Sequence, residues 1–192
     1  MKLRYLTIAL LALMLMPAIS RAQNSTEKQL ATIRETYAGA MKMLEMRLDP
    51  EYPAHDMTVI NTDEMWPGSG QHNGKLELFY GLDIPEESDY LQRFPAFARY
   101  TYNIGEQKYY YEILWHDPDD GNPDHCQPIF FYFKFTDYHG KTFECRYYFW
   151  DGKLLKTICK EADEEIPSPE MALNRAKMIE SLVKMNEIWN NF

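Results

Sequence analysis

The stretch from Tyr109 to Lys160 alternates apolar and polar residues, and this pattern predicts consecutive antiparallel strands. Neighbouring side chains of a strand point to opposite sides of the sheet, so one parity should be buried. The apolar positions of that parity are Tyr109, Tyr111, Ile113, Trp115, Ile129, Phe131, Phe133, Phe135, Phe143, Cys145, Tyr147 and Phe149. We call the side of the sheet that carries them the aromatic face.

Three turn sequences fix how the predicted strands pair. Asp151-Gly152 favours a two-residue hairpin with positive φ at both positions, and Tyr138-His139-Gly140 favours a three-residue hairpin with a left-handed glycine. Asn103 to Glu106 predicts a four-residue turn. The predicted pairs are Tyr102 with Gln107, Tyr100 with Tyr109, Phe133 with Cys145, Phe149 with Leu154 and Cys145 with Ile158.

Helical spacing of apolar residues predicts a helix near each end of the chain, from Asn24 to Leu48 and from about Pro169 to Trp189. Two more strands are predicted ahead of the antiparallel strands described above. They run from Met57 to Asn61 and from Lys75 to Gly81, joined by a glycine-rich loop from Trp66 to Gly74, and a short helix is predicted between Pro85 and Phe94. The expected fold class is α+β: a mainly antiparallel meander sheet of about seven strands with both helices packed on it, the first on the aromatic face.

The opposite side of the sheet, called here the polar face, mixes tyrosines with charged residues as binding surfaces often do. The candidate ligand-binding residues on it are Tyr110, Glu112, Tyr132, Lys134, Glu144, Arg146 and Tyr148. Lys134 and Glu144 should sit directly opposite each other and form an ion pair. The competing interpretation is a solvated second face, or one half covered by a helix. The lysines at positions 153, 156 and 160 would guard the sheet edge.

The first 22 residues have the features of a secretory signal: a basic start, an apolar run from Tyr5 to Met16, and a small-residue cleavage site ending at Ala22. Residues 23–192 would then form a single exported domain, periplasmic or secreted, with no stable membrane anchor after cleavage. Loss of the three basic residues of the signal changes the net charge from −9 to −12. Such an acidic chain is a poor candidate for binding nucleic acid, which requires a basic surface.

Three cysteines, Cys126, Cys145 and Cys159, leave at least one thiol unpaired. The predicted hairpin register places Cys145 and Cys159 on opposite faces of the sheet. The sequence therefore predicts no structural disulfide.

No sequence motif of a catalytic site stands out. Glu112 or Glu144, working with a histidine, would be the acid and base of an envelope hydrolase. The acidic run from Asp117 to Asp124 has the oxygen ligands that calcium prefers, but its spacing departs from the EF-hand pattern. His116, His125 and Cys126 flank that run without a fourth ligand, so no metal and no cofactor is predicted.

Three stretches carry a resemblance: Trp66 to Gln71, Tyr102-Asn103 leading into Tyr109 to Glu112, and Glu144 to Phe149 followed by Asp151 to Leu154. The pattern resembles uncharacterised exported proteins of Bacteroidetes-type bacteria, which implies a periplasmic or secreted α+β domain and no particular activity. The favoured hypothesis is a non-catalytic binding or interaction module whose partner is an unknown small molecule, glycan or protein. An envelope hydrolase and an inhibitor or immunity-like partner protein are the alternatives.

Overall fold

The computed structural model describes residues 25–45, 57–66, 70–83, 92–116, 125–161 and 166–190. In these ranges the chain forms an antiparallel sheet between two helices, which confirms the predicted α+β class. The elements are α1 (25–45), β1 (Met57–Trp66), β2 (Gly70–Asp83), β3 (Gln92–Ile104), β4 (Gln107–His116), β5 (Gln127–Thr136), β6 (Thr142–Trp150), β7 (Lys153–Lys160) and α2 (Pro169–Asn190). Strand order in the sheet follows chain order, so the sheet is a meander with β1 and β7 at its edges. The predicted signal segment, residues 1–22, and the acidic run from Asp117 to Asp124 lie outside the described residues.

Two of the predicted turns are confirmed. Asp151 and Gly152 have φ values of 48° and 68°, and Gly140 has a φ of 80°. The carboxylate of Asp137 accepts hydrogen bonds from the backbone N–H groups of residues 139 and 141, which holds the second turn closed. Phe133 consequently pairs with Cys145, as predicted.

The β3–β4 turn is tighter than predicted. Only residues 105 and 106 form it, so Tyr102 pairs with Tyr109 rather than with Gln107, and Ile104 pairs with Gln107. Gly105, with a φ of 59°, permits the shorter loop. Because the shift is two residues, side-chain parity is unchanged and the predicted faces are kept.

The first two strands are longer than predicted, and the predicted loop from Trp66 to Gly74 is mostly sheet. Trp66 pairs with Gly70, and Gly74 pairs with Thr62. β2 is bonded to a strand on each side, and this double pairing outweighs the low strand propensity of its glycines. Of the predicted short helix from Pro85 to Phe94, the last three residues instead begin β3, and the earlier ones lie outside the described residues.

The two helices pack on opposite sides of the sheet. The core on the aromatic face joins the odd-numbered aromatic residues to Ala172 and Ala176 of α2. The other core joins Ile33 and Ala40 of α1 to apolar residues on the polar side, namely Phe79, Phe97, Leu114, Ile129 and Phe130. The prediction that the first helix covers the aromatic face was therefore wrong. One end of the polar face is itself apolar, and the apolar stripe of α1 is buried there.

Polar contacts cap α2 and attach it to the sheet beside Ala172 and Ala176. Ser168 Oγ accepts a hydrogen bond from the N–H of Met171 at 3.2 Å, which confirms the predicted start of the helix. Trp115 donates its indole N–H to Glu180 at 2.7 Å, and the Tyr147 hydroxyl donates to the carbonyl of Pro167 at 2.6 Å. The last two bonds satisfy the polar atoms of Trp115 and Tyr147 beneath the helix.

The prediction that no disulfide forms was also wrong. Cys145 pairs directly with Cys159, and the two are joined by a disulfide. The reason is a β-bulge: Phe149 pairs with Leu154 as expected, but Tyr148 pairs with Lys156, which leaves Leu155 as an extra residue. One extra residue reverses the parity of the rest of β7, so Cys159 faces the same side as Cys145. A second bulge, between β4 and β5, moves Ile129 from the aromatic face to the core under α1.

Candidate functional site

A pocket with a cavity volume of about 1000 Å³ lies between α1 and the polar face of the sheet. We call it the α1 pocket. Six of the seven predicted site residues line it: Tyr110, Glu112, Tyr132, Lys134, Arg146 and Tyr148. Glu144 lies beside the lining, opposite Lys134 in the sheet. The register thus brings the predicted residues together, while their part in binding a ligand stays a prediction.

The floor of the pocket is built by cross-strand pairing. Strands β2 to β6 each contribute one residue to a row of polar side chains that crosses the sheet: Glu77, Arg99, Glu112, Tyr132 and Arg146. Residues opposite each other in an antiparallel pair have side chains close enough to interact. The row therefore brings these polar side chains together on the floor of the pocket.

Glu77 anchors one end of this row. Its carboxylate accepts a hydrogen bond from Arg99 Nε at 2.8 Å and pairs with Lys75 Nζ at 2.8 Å. Burial alone would raise the pKa of Glu77, but the bonds from Arg99 and Lys75 outweigh burial, and the pKa lies below its ordinary value. The carboxylate is consequently ionised and fixed at neutral pH.

Glu112 occupies the centre of the row and is only 7% exposed. Its Oε2 accepts a hydrogen bond from the Tyr37 hydroxyl of α1 at 2.8 Å, and its Oε1 accepts one from the Tyr110 hydroxyl. Burial, followed by the bond to Glu112, raises the pKa of both tyrosines far above the ordinary value. Both hydroxyls therefore stay protonated as donors, and Glu112 ties α1 to the sheet.

Tyr132 and Arg146 form the next part of the floor. The guanidinium of Arg146 lies over the Tyr132 ring, 4.9 Å from its centroid, in a cation–π contact. Burial and then the charge of Glu144 raise the pKa of the Tyr132 hydroxyl to about 12. The ring stays neutral and keeps its face toward the arginine.

The predicted ion pair between Lys134 and Glu144 is not formed, although the two residues are directly opposite. Glu144 instead lies 3.5 Å from Arg146 Nη2 and 3.5 Å from Lys160 Nζ. Within the described ranges, no carboxylate lies within ion-pair distance of Lys134. The lysine is exposed in β5 and lines the pocket as an uncompensated cation.

The charged residues of the pocket are mostly basic. Five cationic side chains line it: Arg34, Lys75, Lys108, Lys134 and Arg146. Glu112 is the one acidic residue in the described lining, and both of its oxygens already accept hydrogen bonds. The α1 pocket is therefore a basic region on a chain whose net charge is −9.

Sequence reasoning missed the contribution of α1 to the site. Tyr37 stands in the apolar stripe of the helix, and helical spacing alone does not single out its hydroxyl. Its ring does pack on Phe130, at 5.2 Å between centroids, but its hydroxyl reaches the buried carboxylate of the sheet. The signal that was available is the amphipathic nature of tyrosine, which places a polar group at the end of an apolar ring.

The hydrolase alternative requires a histidine near Glu112 or Glu144, and a metal site requires clustered ligands. No histidine is among the described residues that line the α1 pocket, and Glu112 and the other carboxylates of the floor are all engaged in bonds. Across the described part of the chain, no cluster of three or more His, Cys, Asp or Glu side chains has the proximity to hold a metal ion. What the site offers is a cavity with aromatic walls and basic side chains.

Comparison of the chain with protein-family models, with curated proteins and with solved structures found no match. In the ranges described, neither helix combines the length and the apolar character needed to cross a bilayer. A functional proposal therefore has to be argued from the geometry of the α1 pocket.

Proposed function

We propose that the protein is an exported, non-catalytic binding module that holds a small molecule or a glycan in the α1 pocket. The observation that carries the proposal is the pocket itself. Its volume of about 1000 Å³ lies at the upper end of the range of small-molecule sites, roughly 300–1,000 Å³. Its walls combine tyrosine rings with arginine and lysine, so apolar surface and polar groups that can orient a ligand lie in one cavity.

The pocket is also preorganised, which supports binding as its use. Tyr37, Tyr110 and Glu112 are fixed by hydrogen bonds, and Arg146 is held against Tyr132. A site whose side chains are already ordered loses little conformational entropy when a ligand enters. Both oxygens of Glu112 already accept hydrogen bonds from tyrosines, so binding accounts for the arrangement better than hydrolysis does.

Export is the second part of the proposal. It is supported by the signal-like first 22 residues and by the Cys145–Cys159 disulfide, since disulfides persist mainly in oxidising compartments. The resemblance to exported proteins of Bacteroidetes-type bacteria agrees with this location. An inhibitor or immunity-like role would instead require a protein partner that copurifies with the chain.

A ligand screen by thermal shift tests the proposal. Residues 23–192 are screened against a library of small molecules and glycans, and each hit is repeated with Tyr132→Ala and Arg146→Ala. A ligand present at 100 times its Kd stabilises by about 2.7 kcal/mol, which is a rise in Tm of roughly 5–11 °C for a domain of this size. We expect both substitutions to remove the shift while the far-UV circular dichroism spectrum stays native.

The matched control is Lys153→Ala, which removes an exposed side chain of β7 outside the α1 pocket. This variant should keep the full shift with every hit. A library that yields no hit, or hits that stabilise all three variants equally, would contradict the proposed function.

A further inference from the structure

We infer that the ligand of the α1 pocket is an organic anion whose acidic group, a carboxylate, sulfate or phosphate, is carried on a ring. This inference rests on the proposed function, because it names the chemical class that the same pocket selects. Its basis is the distribution of charge and of aromatic surface around the cavity.

The charge of the lining selects for an anion. Five cationic side chains face the cavity; Lys75 and Arg146 are paired with Glu77 and Glu144, whereas no carboxylate of the described residues lies within ion-pair distance of Arg34, Lys108 or Lys134. The acidic residue of the lining, Glu112, is buried and has both oxygens occupied by tyrosine hydroxyls. A cationic ligand would find no carboxylate available in the described lining and would meet Lys134 and Arg146. Clefts lined by charges of one sign concentrate ligands of the opposite sign.

Lys134 is the specific contact we assign to the acidic group. It projects from the middle of β5, between Tyr110 and Glu144 in the row of paired residues. No carboxylate of the described residues neutralises it, although Glu144 is directly opposite, because Glu144 lies toward Arg146 and Lys160. A ligand anion at this position would pair with Lys134, and hydrogen bonds between ionised groups are about twice as strong as neutral ones.

The tyrosines select for a ring. Tyr110 and Tyr132 lie edge to face with centroids 5.9 Å apart, and Tyr148, which also lines the cavity, packs on Phe130 with centroids 5.2 Å apart. Their rings place apolar surface next to the basic groups, as binding of a sugar ring or an aromatic ring requires. The raised pKa of Tyr110 and Tyr132 keeps their hydroxyls protonated, so they repel no anion at neutral pH.

Two matched pairs of probes test the inference by isothermal titration calorimetry. A galacturonate trisaccharide is compared with its fully methyl-esterified form, and 2-naphthoate is compared with 2-naphthamide. Each pair keeps the ring body and removes the charge, and the two pairs distinguish a sugar acid from an aromatic acid. We expect the acid of at least one pair to bind tenfold or more tightly than its neutral counterpart.

Lys134→Gln should reduce the affinity for that acid at least tenfold and leave the affinity for the neutral counterpart unchanged. Lys153→Gln, which removes an equal charge outside the pocket, should change the affinity for neither. Lys134 is an exposed side chain on a paired strand, so its replacement should leave the fold intact, and the far-UV spectrum checks this.

The inference is overturned if a neutral probe binds as tightly as its acid, if Lys134→Gln leaves the preference for the acid intact, or if neither acid binds. Each of these results leaves the proposed function to be decided by the thermal-shift screen. A neutral hit from that screen, lost in Tyr132→Ala, would uphold the binding module while removing its preference for anions.

Discussion

The hydrogen bond between Tyr37 and Glu112 is the polar link between α1 and the sheet that can be removed most cleanly. Tyr37→Phe deletes one hydroxyl and keeps the ring that packs on Phe130. The buried carboxylate then loses one of its two hydrogen-bond donors. A hydrogen bond to a charged group contributes about 1.5–3 kcal/mol, so we expect the free energy of unfolding to fall by about that amount.

Urea denaturation followed by circular dichroism measures this loss directly. In a thermal scan the same loss corresponds to a fall in Tm of roughly 3–12 °C, because each kcal/mol shifts a domain of this size by about 2–4 °C. Amide hydrogen exchange gives the location: protection should fall first in α1, because its attachment to the sheet is what the substitution weakens. Tyr138→Phe is the control, since that tyrosine is 64% exposed and removing its hydroxyl should cost nothing measurable.

A double-mutant cycle with Glu112→Gln isolates the interaction itself. Groups in direct contact couple by about 0.5–3 kcal/mol, whereas independent sites add within about 0.3–0.5 kcal/mol. Additive effects of Tyr37→Phe and Glu112→Gln would refute the reasoning. They would mean that α1 is held by apolar packing around Ile33 alone and that the carboxylate does not attach the helix to the sheet.

Two further predictions concern the edges of the polar row and of the sheet. Glu77→Gln should lower the free energy of unfolding by about 1.5–3 kcal/mol at pH 7. Because the folded-state pKa of Glu77 is depressed, its stabilisation is present above the unfolded value of 4.5 and is lost as the pH falls from there through the folded-state pKa. The difference in unfolding free energy between wild type and variant should therefore disappear in acid. A difference that persists at pH 2 would contradict this. Reduction of the Cys145–Cys159 disulfide, which closes a loop of 14 residues, should lower the free energy of unfolding by about 3 kcal/mol in urea denaturation. Alkylation of the denatured, unreduced protein should label one cysteine per chain. Three labelled cysteines would show that the bond is absent.

Where sequence reasoning succeeded, the information was local. The alternation of β5 and β6, together with Gly140 and the Asp151-Gly152 turn, was sufficient to place Phe133 opposite Cys145 and Tyr132 opposite Arg146. Hairpin turns transmit their geometry to the residues next to them, and strict alternation carries it along the strand. The polar face and six of the pocket-lining residues could therefore be predicted without coordinates.

Where the sequence-based predictions failed, the outcome depended on one residue or on one choice of packing. The extra residue Leu155 reverses the parity of β7, and no local signal distinguishes a bulged strand from a regular one with the same composition. Because of this one bulge, Cys145 and Cys159 face the same side and form a disulfide, although the sequence predicted none. The predicted Lys134–Glu144 ion pair failed for a related reason, since Lys160 was brought alongside Glu144 by the same shift.

The amino-acid sequence by itself determined the antiparallel meander, the two amphipathic helices and the grouping of Tyr110, Glu112, Tyr132, Lys134 and Arg146 on one side of the sheet. These features follow from short-range patterns of side chains and turns. The tertiary structure alone decided which helix covers which face, because both helices have an apolar stripe and both faces of the sheet have apolar surface to bury. That choice closes α1 over the polar face, brings Tyr37 to Glu112, and turns an open sheet surface into a basic pocket.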